Sequence, residues 1–321
     1  TWHLDIEKFL ELQTENGDQR TKAYDIYPQV VVSDIFMKRV EKDEMWTLVD
    51  PYEIRMKYNL ELCELYGVEF EKIYLQIEND ETLTLKKRIR ARELFKEIMK
   101  VQIETGMPYI FFKDRANRMN HNNHIGMIGN GNLCMESFSN FAPSKNYTEE
   151  ENNGSGVRKV DLGMVHTCNL VSMNLAEIER DELEDITGIA VRILDNTIDL
   201  TETPILESDR HNSNYRTIGV GSMGLADFMA KEFMIYEESL DEIDRLYEEI
   251  ALYTVKASAL LAKERGAYPY FKNSMWDRGV FFQKDRVWYE ENSQFADKWN
   301  EVFNLVKEYG LRNGELSAVA P

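Results

Sequence analysis

Short strand-like runs alternating with longer amphipathic helical segments predict an α/β fold. Three stretches carry that prediction. Residues 108–112 (Pro-Tyr-Ile-Phe-Phe) form an apolar run directly after a helix-patterned segment. Residues 165–175 read as a strand feeding a helix in which Ile186, Ile189, Ala190, Ile193 and Leu194 make one stripe. Residues 217–220 are a short strand followed by a helix from about Met223 to Lys231. With 43% hydrophobic and 11% aromatic residues among 321, the chain can build one large core or two ordinary ones, and the aromatics argue against disorder.

In chain order, residues 5–12 read as a short helix before the polar turn Glu15-Asn16-Gly17-Asp18. Val30-Val31-Val32 is a β-branched run, after which Ser33 or Asp34 can cap a helix. Pro51 suits a first helical position, opening a helix toward Gly67. Residues 81–104 show helical spacing in Leu85, Ile89, Leu94, Phe95, Ile98 and Met99, and Gly106 marks the end. Residues 114–131 are rich in Asn, His and Gly, which is loop chemistry. Residues 132–138 are a further strand candidate, and 142–158 read as an exposed polar loop. Ser239 and Glu242 form a capping-box pattern for a helix that stops at Gly266. Another helix covers 295–309, and 316–321 are strand-like. No internal repeat is present.

Charge removes several function classes. The 38 Lys and Arg against 57 Asp and Glu leave a net charge of −19, which disfavours bulk nucleic acid as a partner. No apolar run approaches the roughly 18 residues of a membrane span, and no signal peptide opens the chain. Three cysteines do not make a disulfide scaffold. The expectation is a soluble, acidic, cytoplasmic protein. The first residue is Thr1 rather than Met, which suggests a fragment or a processed product.

Several motifs compete for a chemical role. Gly219-Val220-Gly221-Ser222-Met223-Gly224 matches G-x-G-x-x-G, the dinucleotide-binding pattern, although its glycines equally suit a tight strand-to-helix turn. His121 and His124 stand three apart, but zinc needs three or four ligands and no further His/Cys cluster lies nearby, so loop histidines are expected and no metal is assigned. Cys63, between Leu62 and Leu65, reads as a small buried hydrophobe.

The most informative stretch is Asn132-Leu133-Cys134-Met135-Glu136. On a strand, Asn132, Cys134 and Glu136 would project from one face, each about 7 Å from the next, with Leu133 and Met135 on the other. An edge strand with its polar face in solvent is the competing explanation. A thiol beside a carboxylate makes a poor thiolate nucleophile, because the carboxylate raises its pKa. A neutral thiol suits hydrogen-atom chemistry better. Cys168, in His166-Thr167-Cys168-Asn169-Leu170, could supply reducing equivalents if a second thiol came within disulfide reach.

Asn-x-Cys-x-Glu at 132–136, with Cys168-Asn169-Leu170-Val171-Ser172-Met173-Asn174-Leu175 downstream, resembles the catalytic large subunit of ribonucleotide reductase. Residues 2–12, 216–221 and 311–321 resemble further segments of that family in the same order, so the resemblance runs essentially end to end. It implies part of a ten-stranded α/β barrel, made of two five-stranded halves, with the radical cysteine on a loop inside. It implies Cys134 as the thiyl radical that abstracts the ribose 3′ hydrogen, Glu136 as base toward the 3′ hydroxyl, and Asn132 as a partner of the substrate hydroxyls. Leu133 and Met135 would line the substrate with them. Cys168 would be one of two reducing thiols, and Pro321 would edge the substrate-phosphate loop.

The resemblance also implies what to expect beyond residues 1–321, which match as a single internal segment of the barrel domain. The partner of Cys168, the activity and specificity regions and the C-terminal part of the family fall outside it; Cys63 does not match that partner. The chain is expected to be inactive alone. It would bind no cofactor itself, taking its radical from a dimetal (Fe/Mn) small subunit as in class I enzymes, with adenosylcobalamin, as in class II, the alternative. Thioredoxin or glutaredoxin would be the reductant. Expected partners are a ribonucleotide, that small subunit, and either a second large subunit or complementary fragments. An intein-interrupted or split subunit would explain both ends, leaving this chain an assembly piece; a dinucleotide-dependent oxidoreductase is the remaining reading.

Overall fold

Val30, Val31 and Val32 lie in strand β1 (Gln29–Val32) of a computed structural model that describes residues 1–150 and 156–320. Two compact units divide the chain, Thr1–Arg118 and Met119–Pro321. In the first, α1 (Ile6–Leu10) precedes β1. Ser33 Oγ then accepts the Phe36 N–H at 3.4 Å and opens α2 (Asp34–Lys42). Strand β2 (Met45–Val49) follows, and Asp50 caps α3 (Pro51–Tyr58) with Pro51 at its first position. The remaining elements are α4 (Gly67–Asn79), β3 (Lys86–Arg90), α5 (Ala91–Thr105), β4 (Tyr109–Phe112) and α6 (Lys113–Arg118). β1 runs parallel to β4, and β2 antiparallel to β3. Trp46 is fully buried at the centre of this core, stacked on Tyr74 at 4.3 Å and edge-on to Phe36 at 5.0 Å.

Two helix predictions here are corrected. The helix expected from Pro51 toward Gly67 stops at Tyr58, because Asn59 takes the left-handed conformation (φ 51°) and closes it. The helix expected over 81–104 begins only at Ala91. The Glu53 carboxylate accepts the backbone N–H groups of Thr84 and Leu85, which holds 82–85 as a turn, and Lys86–Arg90 then pairs along β2. Helix-favouring Lys and Arg side chains sit in a strand because the cross-strand ladder outweighs a propensity on the order of a few tenths of a kcal/mol per residue. Cys63 is exposed in a short 3-10 turn rather than buried.

The second unit contains β5 (Lys145–Glu150) and β6 (Gly156–Asp161), β7 (Leu170–Asn174), α7 (Leu183–Leu200), α8 (Leu206–Tyr215), β8 (Gly219–Met223) and α9 (Leu225–Lys231). Then come α10 (Leu240–Arg265), β9 (Val280–Phe281), β10 (Lys284–Asp285), α11 (Arg286–Asn292) and α12 (Ala296–Tyr309). The stretch expected as a polar loop over 142–158 supplies an antiparallel ladder, with 151–155 outside the described residues. β7 and β8 run parallel, and Ser317 bridges to Val220 on β8. α10 is the centre of the core: Leu252, Val255 and Ala259 are fully buried, and α7 and α12 both pack on it. On α7, Ala190 and Leu194 face this core as expected, while Ile189 and Ile193 are exposed; Val191 takes their place. Ser239 makes no side-chain capping bond to α10, so the capping box is not formed.

The α/β character therefore holds. Among the described residues the strands form five two-stranded ladders, not a closed barrel. No described helix is long and apolar enough to cross a membrane.

Candidate active site

Asn132–Phe138, expected as a strand, is a tight turn. The Asn132 carbonyl accepts the Met135 N–H at 3.3 Å, and Met135 is left-handed (φ 67°), a conformation that breaks the period-2 alternation. Asn132 and Ser137 then close the loop through two bonds: the Asn132 N–H donates to the Ser137 carbonyl at 3.3 Å, and the Ser137 N–H donates to Asn132 Oδ1 at 3.1 Å. A backbone N–H can only donate, so the amide oxygen of Asn132 must face it and the nitrogen must face away.

That nitrogen spends both protons within the site. It donates to Glu136 Oε1 at 2.7 Å and to Cys168 Sγ at 2.9 Å. Asn132 and Glu136, which a strand would separate by about 13 Å at ~3.3 Å per residue, are in contact. Cys134 is exposed at the crest of the turn and Leu133 is exposed beside it. Met135 lies against Gly131, where a Cβ would stand 2.6 Å from its sulfur. The turn thus joins the amide, the carboxylate and Cys168, with Cys134 at its crest. Cys168 precedes β7 by two residues rather than lying in a strand.

Electrostatics favour a protonated Cys168. Protein packed around the sulfur pushes this thiol up; the Asn132 hydrogen bond opposes that, and Glu136 and Cys134 push it further up. The second carboxylate oxygen of Glu136 is buried and has no hydrogen-bond partner, an acceptor open to a donor from a bound molecule.

Around the turn lies a layer that sequence reasoning missed. Ser137 Oγ is 2.8 Å from His166 Nε2, and His211 Nε2 is 2.9 Å from Ser139 Oγ, which is 3.2 Å from Thr217 Oγ1. Burial lowers His166 to about 4 and His211 to about 3, so both rings are neutral at pH 7. Only their adjacency to the motif, at 137 and 166, could have drawn attention to Ser137 and His166.

The other motifs resolve as structure. His121 is buried against Trp276, accepts the Phe282 N–H at Nε2 and faces Glu315 through Nδ1 at 2.9 Å; His124 Nε2 is 3.0 Å from the Tyr270 carbonyl oxygen. Among the described residues no three His, Cys, Asp or Glu converge as metal ligands. Gly219 and Gly221 lie inside β8, not in a turn after it. A Cβ on Gly221 would stand 2.7 Å from the Ala320 carbonyl oxygen, and one on Gly219 would stand 2.6 Å from Ala318 Cβ. The glycines admit the 317–320 segment rather than a pyrophosphate. Pro321 lies outside the described residues.

The family model for the ribonucleotide reductase barrel domain matches residues 1–321, the whole chain. The chain belongs to the ribonucleotide reductase barrel-domain family. It is similar to a ribonucleoside-diphosphate reductase subunit alpha from Synechocystis, at 49% identity over all of this chain and 40% of that subunit. It resembles the subunit alpha of Helicobacter pylori at 36% identity, over all of this chain and 46% of that protein. The ribonucleoside-diphosphate reductase large chain of Neurospora crassa is 31% identical over all of this chain and 32% of its own length. The chain thus spans less than half the length of these reductase relatives.

Proposed function

We propose that this chain carries the radical and reducing chemistry of a ribonucleoside-diphosphate reductase. The observation that carries the reading is the meeting of Asn132, Glu136 and Cys168 beside Cys134, with one buried Glu136 oxygen open. In this reading the Cys134 thiyl radical takes the ribose 3′ hydrogen atom and Glu136 accepts the 3′ hydroxyl proton. Asn132 exchanges its bonds to Glu136 and Cys168 for the substrate hydroxyls. Leu133 and Met135 flank the sugar, and Pro321 leads to the phosphates. Cys168, kept protonated, gives its reducing equivalent with a second thiol, and the pair becomes a disulfide that thioredoxin or glutaredoxin would reopen.

The two-stranded ladders are read as portions of the family's ten-stranded barrel, with residues 1–321 one segment of it. A dimetal small subunit is the proposed radical source, in keeping with the diphosphate-reductase names of the relatives; a cobalamin requirement would overturn that choice. A second large subunit or complementary fragments would complete the assembly in the cytoplasm, and this chain by itself is expected to be inactive.

The test is deoxynucleotide formation by the full-length subunit with its radical-generating partner. Cys134→Ser should abolish product while nucleotide binding persists. Product formation at the normal rate by that variant would sink the reading.

A further inference from the structure

The crest of the turn is exposed, yet its base is tied to the segment of Cys168 by side chains with no assigned role. Ser137 is the pivot. Its backbone N–H and carbonyl both bond Asn132, and its hydroxyl meets His166 Nε2 at 2.8 Å. His166 is two residues before Cys168, whose sulfur receives the Asn132 amide at 2.9 Å. The connections close a ring: His166 to Ser137, Ser137 to Asn132, Asn132 to Cys168, and back through Thr167. Thr167 is itself anchored, its hydroxyl donating to Asn212 Oδ1 on α8 at 2.9 Å.

The tautomer follows from what surrounds the rings. His166 Nδ1 and His211 Nδ1 are both buried without a partner. Buried N–H groups are orphaned less often than buried acceptors, so each proton belongs on Nε2. His166 then donates to Ser137 Oγ, and His211, its ring centre 5.2 Å away, donates to Ser139 Oγ.

We propose that His166 is a positioning residue that fixes the Cys134 turn against the Cys168 thiol through its bond to Ser137. The bond sets the register of Asn132 on the sulfur before any substrate arrives. Without it, the Asn132–sulfur bond loses its brace at Ser137, and the already exposed Cys168 sulfur loses the donor that partly covers it. The proposal deepens the reductase reading of the same site, but its readout does not require reductase activity.

The test is peptide-resolved alkylation of Cys168 with iodoacetamide in the full-length subunit. The readout is the plateau rate at a pH where the thiolate is fully formed, so that it reports how the turn covers the exposed sulfur rather than its titration. His166→Ala should raise that rate by about tenfold, the scale set by one net hydrogen bond. Ser137→Ala removes the same bond by deleting one oxygen and should reproduce the rise, which keeps the test open if His166→Ala fails to fold. The double variant should go no further than either single one. His166→Gln, whose amide nitrogen can take the place of Nε2, should restore the rate to within about twofold. A rate unchanged in both alanine variants overturns the proposal, as does additivity in the double variant or a Gln variant that behaves like Ala. Loss of deoxynucleotide formation in Cys134→Ser bears on the reductase reading alone, so the two can fail separately.

Discussion

Asn132 and Cys168, 36 residues apart, are joined by an N–H···S bond of 2.9 Å, and the same amide nitrogen holds Glu136 at 2.7 Å. One neutral side chain therefore stands between a carboxylate and a thiol, donating to both. The arrangement keeps Glu136 from acting on the sulfur without a screening donor.

Replacing Asn132 by Asp removes that donor and adds a negative charge against the sulfur. The Cys168 thiol, already pushed up by its packing, should titrate at a higher pH than in the parent protein, because a donor is replaced by a negative charge. The pH profile of Cys168 alkylation measures this, and an unchanged or lowered midpoint would count against the bonding described.

Acid should weaken the second unit through its buried histidines. The folded values of about 4 for His166 and about 3 for His211 lie below the unfolded value near 6.5. The unfolded chain then binds more protons between those limits, so stability is complete above about pH 6.5 and falls as pH drops toward 4. Each histidine contributes up to about 1.4 kcal/mol per pH unit in that window. Urea unfolding at pH 7 and pH 5 should show the loss, and His166→Gln should make it smaller. An equal loss in the variant would contradict a neutral, buried His166.

Asp195 is fully buried and accepts from Arg216 at 2.7 and 2.9 Å, from Arg265 at 2.8 Å and from Arg312 at 3.2 Å. Asp195→Asn would leave these guanidinium groups, that of Arg216 itself buried, short of their counter-charge. A cost of about 3–5 kcal/mol is expected, the usual scale for breaking one side of a buried pair. A urea midpoint close to that of the parent would mean that water or Asp199 replaces the lost charge.

Gly221→Ala tests the packing of β8. The new methyl would meet the Ala320 carbonyl, which cannot retreat freely because it accepts the Ser172 hydroxyl at 2.6 Å. Overpacking should cost about 1–3 kcal/mol. Val319 donates to the Glu136 carbonyl at 3.3 Å, so hydrogen exchange at the Val319 amide should speed up as well. Nicotinamide nucleotide binding that was present in the parent and lost in the variant would instead revive the dinucleotide reading.

Much of the local grammar was legible. Ser33 caps α2, Pro51 starts α3 and Gly106 ends α5 with φ 78°, each because a single residue's geometry or hydrogen bonding decides the point. The failures share another cause. Lys86–Arg90 carries helix-favouring side chains, yet β2 across the ladder makes it a strand. Ser239 has the capping-box partner three residues on, but its backbone (φ −113°, ψ 10°) does not present the side chain to the helix start.

At the site the division is sharper. The sequence by itself determined the α/β class, and it singled out Asn132, Cys134, Glu136 and Cys168 as candidates, with the chemistry expected of them coming through their resemblance to a family. Residue identity and short spacing carry that information. Only the tertiary structure decided that 132–138 turns rather than extends, that Asn132 rather than Cys134 sits between Glu136 and Cys168, and that His166 reaches Ser137 across 29 residues. Periodicity assumes a regular backbone, and one left-handed residue, Met135, cancels it. Contacts between distant segments leave no periodic trace, because they are set by how strands and helices pack after each has formed.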